Sequence, residues 1–158
     1  MSILTEFFVT SPDRALELAS TGPEGTGLPS LPATSIDPVR LSALHEVLTG
    51  GTGTTGTHDA EGTTFAETTT EDDVLGDELG PADTDGPWLL PFLPGAVAAL
   101  AAITDEDLAD VAQRWGATED MEDLGVDPDD LLEITTSLRD LARAARRDGL
   151  GLFLWMSL

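Results

Sequence analysis

The chain has 158 residues, 41% of them apolar, which is enough to bury a hydrophobic core without disulfides or metal ions. It contains no cysteine, and this excludes disulfides, thiolate metal sites and cysteine nucleophiles. Thirty acidic residues against seven basic ones give a formal net charge of -23, and a surface this negative repels the phosphates of nucleic acids.

The charge has two interpretations. A negative surface can attract a basic protein, because complementary charge steers association. Alternatively, the acids serve only to solvate the protein in a salt-rich cytoplasm, where ions screen their mutual repulsion. All seven basic residues are arginine and lysine is absent, a composition that suits a high-GC genome or a salt-rich cytoplasm and so favours the second interpretation.

The N-terminal part predicts one strand and two helices. Residues 3–9 are rich in branched and aromatic side chains and indicate a strand. Ser11 and Pro12 form a typical helix start, and the helix is expected to run to about residue 20. An irregular connection over 21–35 leads to a second helix that starts at Asp37-Pro38 and ends at Gly50.

Residues 51–73 form a Thr- and Gly-rich stretch with almost nothing to bury, and we expect a flexible excursion there. Gly51, Gly53 and Gly56 match the spacing of a dinucleotide-binding loop. That loop requires a strand before it and a helix after it, whereas here a helix precedes and a polar run follows. The pattern therefore predicts no cofactor.

The next predicted elements are one strand and two helices. Residues 88–93 indicate a strand that Pro91 confines to a sheet edge or ends early. An Ala-rich helix is expected over 94–103, and Thr104 begins another. The inner face of that second helix is predicted to comprise Leu108, Val111, Ala112 and Trp115.

The longest helix is predicted to start at Asp127-Pro128, with apolar residues at helical spacing, and to stop at Gly149. The last residues, LFLWMSL, are apolar on both faces, as a strand covered on each side is. These elements predict an α+β fold. We expect a small mixed sheet with the C-terminal strand central, packed against about five helices, in a single domain over residues 1–158.

Few residues are candidates for a functional site. The acidic run around Glu119 and Asp120 resembles a calcium loop, but leucines occupy two ligand positions, so a solvated turn is the better interpretation. His45 lies on an apolar helix stripe and is predicted to be partly buried and hydrogen-bonded. No pair of residues has zinc-ligand spacing, and no catalytic residue, metal or cofactor is assigned.

Two further groups of side chains complete the candidates. Trp88 and Trp115 are candidate walls of a cleft in which carboxylates bind a small ligand or perform acid–base chemistry. Arg143 and Arg147 belong to a group of four arginines at the end of the longest helix. These arginines complement the helix dipole and pair with acids, or alternatively form an anion-binding or docking patch.

The order of elements resembles the YfbM-like bacterial family, a domain of unknown function. The resemblance rests on the N-terminal strand, a helix ending in Leu48-Thr49-Gly50, the Val74-Leu75-Gly76 segment and the 104–108 TDEDL motif, followed by a long Leu-rich helix and an apolar final strand. It implies an α+β fold and brings no established activity or catalytic residues.

We therefore expect a cytoplasmic protein that binds another macromolecule, as an immunity-type or regulatory domain with a basic partner. The alternative is a small-ligand module or hydrolase-like enzyme that uses carboxylates in a cleft. The sequence has neither a secretory signal nor an uninterrupted membrane span, because Pro91 and Pro94 break the apolar run over 88–103.

Overall fold

A computed structural model describes residues 4–33, 36–49, 75–76, 78–79 and 86–157. Four strands form one sheet: β1 (Leu4–Thr10), β2 (Ser30–Pro32), β3 (Trp88–Pro91) and β4 (Gly151–Ser157). Six helices accompany them: α1 (Pro12–Glu17), α2 (Pro38–Thr49), α3 (Pro94–Ala101), α4 (Leu108–Gly116), α5 (Glu119–Glu122) and α6 (Pro128–Asp148). The predicted α+β fold is confirmed, with one helix more than expected among these residues.

The C-terminal strand lies inside the sheet, as the sequence predicts. The strand order is β2-β1-β4-β3, so β4 pairs with β1 on one side and with β3 on the other. The β1–β4 ladder runs from the Leu4–Ser157 pair to the Thr10–Gly151 pair and joins the two ends of the chain.

The prediction of a mixed sheet is wrong, because every neighbouring pair of strands is antiparallel. β1 and β3 run in the same direction, but β4 lies between them and runs in the opposite one. The two parallel strands therefore never pair with each other.

Both faces of β4 are covered. Leu152 and Leu154 pack into the main core beneath the helices, together with Phe7 of β1. Phe153 points to the other face, where it packs against Phe8 and a smaller cluster that includes residues of α1. The two residues after Leu154, Trp155 and Met156, are only half-buried.

Capping residues mark the start of α1 and both ends of α6. The Ser11 side chain accepts a hydrogen bond from the Arg14 N–H, and the Asp127 carboxylate accepts one from Asp129 N–H at the start of α6. Gly149 ends α6 in the left-handed conformation (φ 67°), which only glycine adopts without cost.

Other boundaries differ from the prediction. α1 ends at Glu17 and is followed by turns, and β2 lies within the connection predicted to be irregular. Thr104 does not begin a helix: its hydroxyl accepts a hydrogen bond from the Asp107 N–H within a turn, and α4 begins at Leu108. The spacing of apolar residues predicts Ile134 on the inner face of α6, but Ile134 is half-buried and the neighbouring Thr135 is buried.

The predicted excursion over 51–73, with its glycine-rich pattern and the Gly50 cap, lies outside the described residues. Of the segment that follows, Leu75 and Leu79 bridge to Phe92 and Leu89 along the outer side of β3. None of the described helices is both long enough and apolar enough to cross a membrane.

Candidate functional site

The two tryptophans predicted to wall a cleft do not do so. Trp115 is fully buried, and its indole Nε1–H donates a 2.9 Å hydrogen bond to the Arg40 carbonyl, which ties α4 to α2. Trp88 is half-buried in β3. Neither side chain lines the α2–α3 gap, the groove between α4 and α6 or the cleft at Trp155 that are described below.

His45 is buried, and the hydrogen bond predicted for it is not made by the imidazole Nε2. The imidazole Nε2 has no hydrogen-bond partner among the described residues. His45 lines a narrow apolar gap of about 10 Å³ between α2 and α3, with Leu41 and Phe92 among its neighbours. A gap this small and apolar holds no substrate, so His45 is part of the core.

The C-terminal arginines divide into separate structural roles. Arg139 is buried and hydrogen-bonded to Asp105 and Asp140, and the bond to Asp105 raises the pKa of the guanidinium. Arg143 donates from Nε to the Ala101 carbonyl (2.9 Å) and from Nη2 to the Ile103 carbonyl (2.8 Å), so it caps the end of α3.

Arg147 remains at the surface, where its hydrogen bond to Asp148 lowers the pKa of that carboxyl group. Pairing with acids therefore accounts for Arg139 and Arg147, as the sequence predicts. With Arg139 buried and Arg143 bound to carbonyls, the four arginines do not form one free anion-binding patch.

Glu119 and Asp120 begin α5, and both are exposed. The Asp120 carbonyl accepts a 3.1 Å hydrogen bond from Arg40 Nε, while Met121 buries its side chain in the core. These two contacts hold α5 with its carboxylates directed to solvent. No group of three potential metal ligands occurs among the described residues.

A groove with a volume of about 480 Å³ lies between α4 and α6. We call it the α4–α6 groove. Its α4 wall consists of residues at helical spacing, one stripe along that helix: Ala109, Ala112, Gln113, Gly116 and Ala117. Small side chains on this stripe leave the space between the two helices open.

The opposite wall of the groove comes from the start of α6 and the residue before its cap. It comprises Val126, Pro128, Asp129, Leu131 and Leu132. A Cβ on Gly116 would lie 2.9 Å from Leu131 Cδ2, so the two helices meet closely at this point. Asp129 is the one charged residue in the lining.

Acidic residues are frequent in the part of the chain that forms the two walls of the groove. The segment 105–133, which we call the acidic segment, contains twelve acidic residues and a single basic one, Arg114. Arg114 lies 3.6 Å from the Asp110 carboxylate, so its charge is offset locally. The acidic segment thus contains an apolar groove with one carboxylate, Asp129, in its lining, and a large excess of acidic residues.

A second cleft, of about 360 Å³, lies beside the first residues of β1. Trp155, Glu6 and Glu24 contribute to it, and Glu6 is paired across the strands with Trp155. The Trp155 indole donates a 2.9 Å hydrogen bond to the Ala19 carbonyl, which fixes the ring. A tryptophan next to carboxylates is therefore present, but it is not one of the two predicted.

Sequence reasoning missed the groove. Its signal is the recurrence of small residues at positions 109, 112, 116 and 117, on the side of α4 next to the predicted inner face. This stripe is compatible with a tightly packed helix pair as well as with an open groove.

Comparison with models of protein families, with curated proteins and with solved structures finds no match to this chain. The resemblance to the YfbM-like family remains a prediction, and the site is interpreted from its own geometry.

Proposed function

We propose that this protein is a cytoplasmic, non-enzymatic binding domain of the immunity or regulatory type, whose basic protein partner contacts the acidic segment. The observation that carries the proposal is the α4–α6 groove, an apolar surface with Asp129 in its lining, formed by a segment rich in acidic residues. Apolar area supplies affinity when it is buried, and charge around it selects the partner and accelerates the encounter.

The distribution of charge supports a protein partner. Stable protein interfaces have a dehydrated centre and a polar rim. The groove has an apolar lining with the exposed Gln113 and Asp129 on its two walls, which is compatible with such an interface. A nucleic acid would bring phosphates to the same acids, and the resulting repulsion disfavours it.

The exposed acids of α5 provide a direct test. The quadruple variant Glu119→Gln, Asp120→Asn, Glu122→Gln, Asp123→Asn removes four charges beside the groove. A matched variant, Asp13→Asn, Glu24→Gln, Glu46→Gln, Glu78→Gln, removes four exposed charges elsewhere. Both variants and the parent protein are immobilised and exposed to lysate of the source cells.

At about 0.1 M salt, where the screening length is about 10 Å, we expect the parent protein to enrich a basic protein that is released at about 1 M salt. The α5 variant should lose that protein and the matched variant should retain it. Equal losses from both variants would show that bulk charge alone is responsible, and no enriched basic protein would contradict the proposal.

A second candidate function, binding of a small organic cation, is favoured by the cleft at Trp155. An indole ring and carboxylates are the groups that recognise alkylammonium ions. Titration with tetramethylammonium should change Trp155 fluorescence in the parent protein and not in Glu6→Gln, Glu24→Gln. An identical response of the two proteins would exclude this cleft.

A further inference from the structure

We infer that the α4–α6 groove binds one amphipathic helix of the partner, with aliphatic residues on the face that enters the groove and lysine or arginine on its flanks. This inference rests on the proposed function and specifies the partner's contacting element. It is argued from the shape of the groove, from its lining and from the charges around it.

The shape favours a helix. The α4 wall runs from Ala109 to Ala117, which at 1.5 Å per residue corresponds to about 12 Å, or about two helical turns. An amphipathic helix places aliphatic side chains at i, i+3, i+4 and i+7, a repeat that covers the same length. The small side chains of this wall allow another backbone to approach closely.

The lining selects aliphatic side chains. Eight of the ten residues around the groove are alanine, glycine, valine, proline or leucine. The two others lie on opposite walls: Gln113 on α4 and Asp129 on α6, and both are exposed. They provide an amide and a carboxylate at the surface, where the flanks of a bound helix would lie.

Charge distinguishes two possible occupants of the groove, a second copy of this chain and a helix with basic flanks. Glu106 and Glu133 are exposed; Glu106 lies three residues before Ala109 in the sequence, and Glu133 lies one turn after Asp129 on α6. A second copy of this chain would bring another -23 charge against these acids, which opposes self-association. A helix with basic flanks relieves the repulsion and is therefore the occupant that the surface fits.

The test uses a fluorescein-labelled peptide of about four helical turns, built from leucine and lysine with all leucines on one face. Its binding is measured by fluorescence anisotropy at about 0.1 M salt. One control peptide has the same composition in scrambled order, so it keeps the charge and loses the apolar face. The other replaces lysine with glutamate, so it keeps the face and reverses the charge.

Two groove-filling variants test the location. Ala109→Phe and Ala117→Phe place a ring at either end of the groove from exposed positions, while Ala102→Phe adds the same ring at an exposed position outside it. We expect each groove variant to raise the Kd by about tenfold, as loss of a central contact does, and Ala102→Phe to leave it unchanged. Far-UV circular dichroism verifies that each variant is folded.

A matched pair tests the charge. Asp129→Asn, Glu133→Gln should raise the Kd about threefold to tenfold, and Asp13→Asn, Glu46→Gln, at two exposed acids outside the groove, by less than about twofold. Asp13 and Asp129 both occupy the first turn of a helix, so the two variants lose similar helix-dipole stabilisation.

The inference is overturned if the scrambled peptide or the glutamate peptide binds as tightly as the leucine–lysine peptide, or if both groove-filling variants bind it like the parent protein. If the peptide fails but the α5 acids still govern capture of a basic protein, the proposed function stands and the helical partner is excluded. If the peptide binds in the groove but no basic protein is captured, the groove assignment stands and the proposed function fails.

Discussion

Replacing Leu154 with alanine tests the central position of β4. Leu154 is fully buried, lies between Phe7 of β1 and Leu90 of β3, and packs into the main core. Truncation of a buried leucine costs about 2.7–5.0 kcal/mol, because transfer free energy is lost and a cavity remains. We expect about 3–4 kcal/mol here, a large share of the 5–15 kcal/mol that stabilises a typical domain.

The assay is urea unfolding followed by the fluorescence of the three tryptophans, at constant salt because the net charge of -23 makes stability depend on ionic strength. With a slope of about 2 kcal/mol per molar urea, the midpoint should fall by about 1.5–2 M. Leu4→Ala is the control, since Leu4 is 55% exposed in the same sheet, and it should cost less than about 1 kcal/mol. Equal shifts for the two variants would refute the assignment of β4 to the interior.

Three further predictions concern single contacts, and each is measured by urea unfolding of the variant and the parent protein. His45→Leu should stabilise the protein by about 1–3 kcal/mol, because it removes the buried imidazole Nε2, which has no hydrogen-bond partner. A loss of stability would contradict this, because it would mean that the imidazole makes a stabilising hydrogen bond in the parent protein. Trp115→Phe should cost about 1–3 kcal/mol, since the Arg40 carbonyl loses its indole donor, and an unchanged midpoint would contradict that contact. Gly149→Ala should cost about 1–2 kcal/mol, because alanine is strained at φ 67°, while Gly149→Asn should cost less; equal costs for the two would argue against a left-handed cap.

Local signals account for the elements that the sequence predicts well. Gly149 precedes β4 and Gly151 begins it. The residues that follow are apolar without alternation, and a strand covered on both faces requires this pattern. Asp127 and Pro128 start α6 through their own backbone geometry. These signals depend only on residues close together in the chain.

The pairing of strands depends on distant residues and was not predictable in the same way. β2 is a three-residue strand, and it forms because its backbone pairs with the free edge of β1. The antiparallel sheet likewise results from the insertion of β4 between β1 and β3, which no local pattern encodes.

The candidate site was only partly predictable for the same reason. Trp115 shares its helix face with Leu108 and Val111, and that spacing indicated the core rather than a cleft. The groove depends on how α4 and α6 diverge beyond the contact of Gly116 with Leu131, a tertiary feature. The surplus of acids in the acidic segment is visible in the sequence, but the apolar surface that it surrounds is not.

The most direct test of the account is an NMR titration of the ¹⁵N-labelled chain with the leucine–lysine peptide. We predict that the perturbed amides will cluster over 109–117 and 126–132, the two walls of the α4–α6 groove, with β1 unchanged. Perturbations distributed over the acidic residues of the whole surface, or centred on another face, would contradict it.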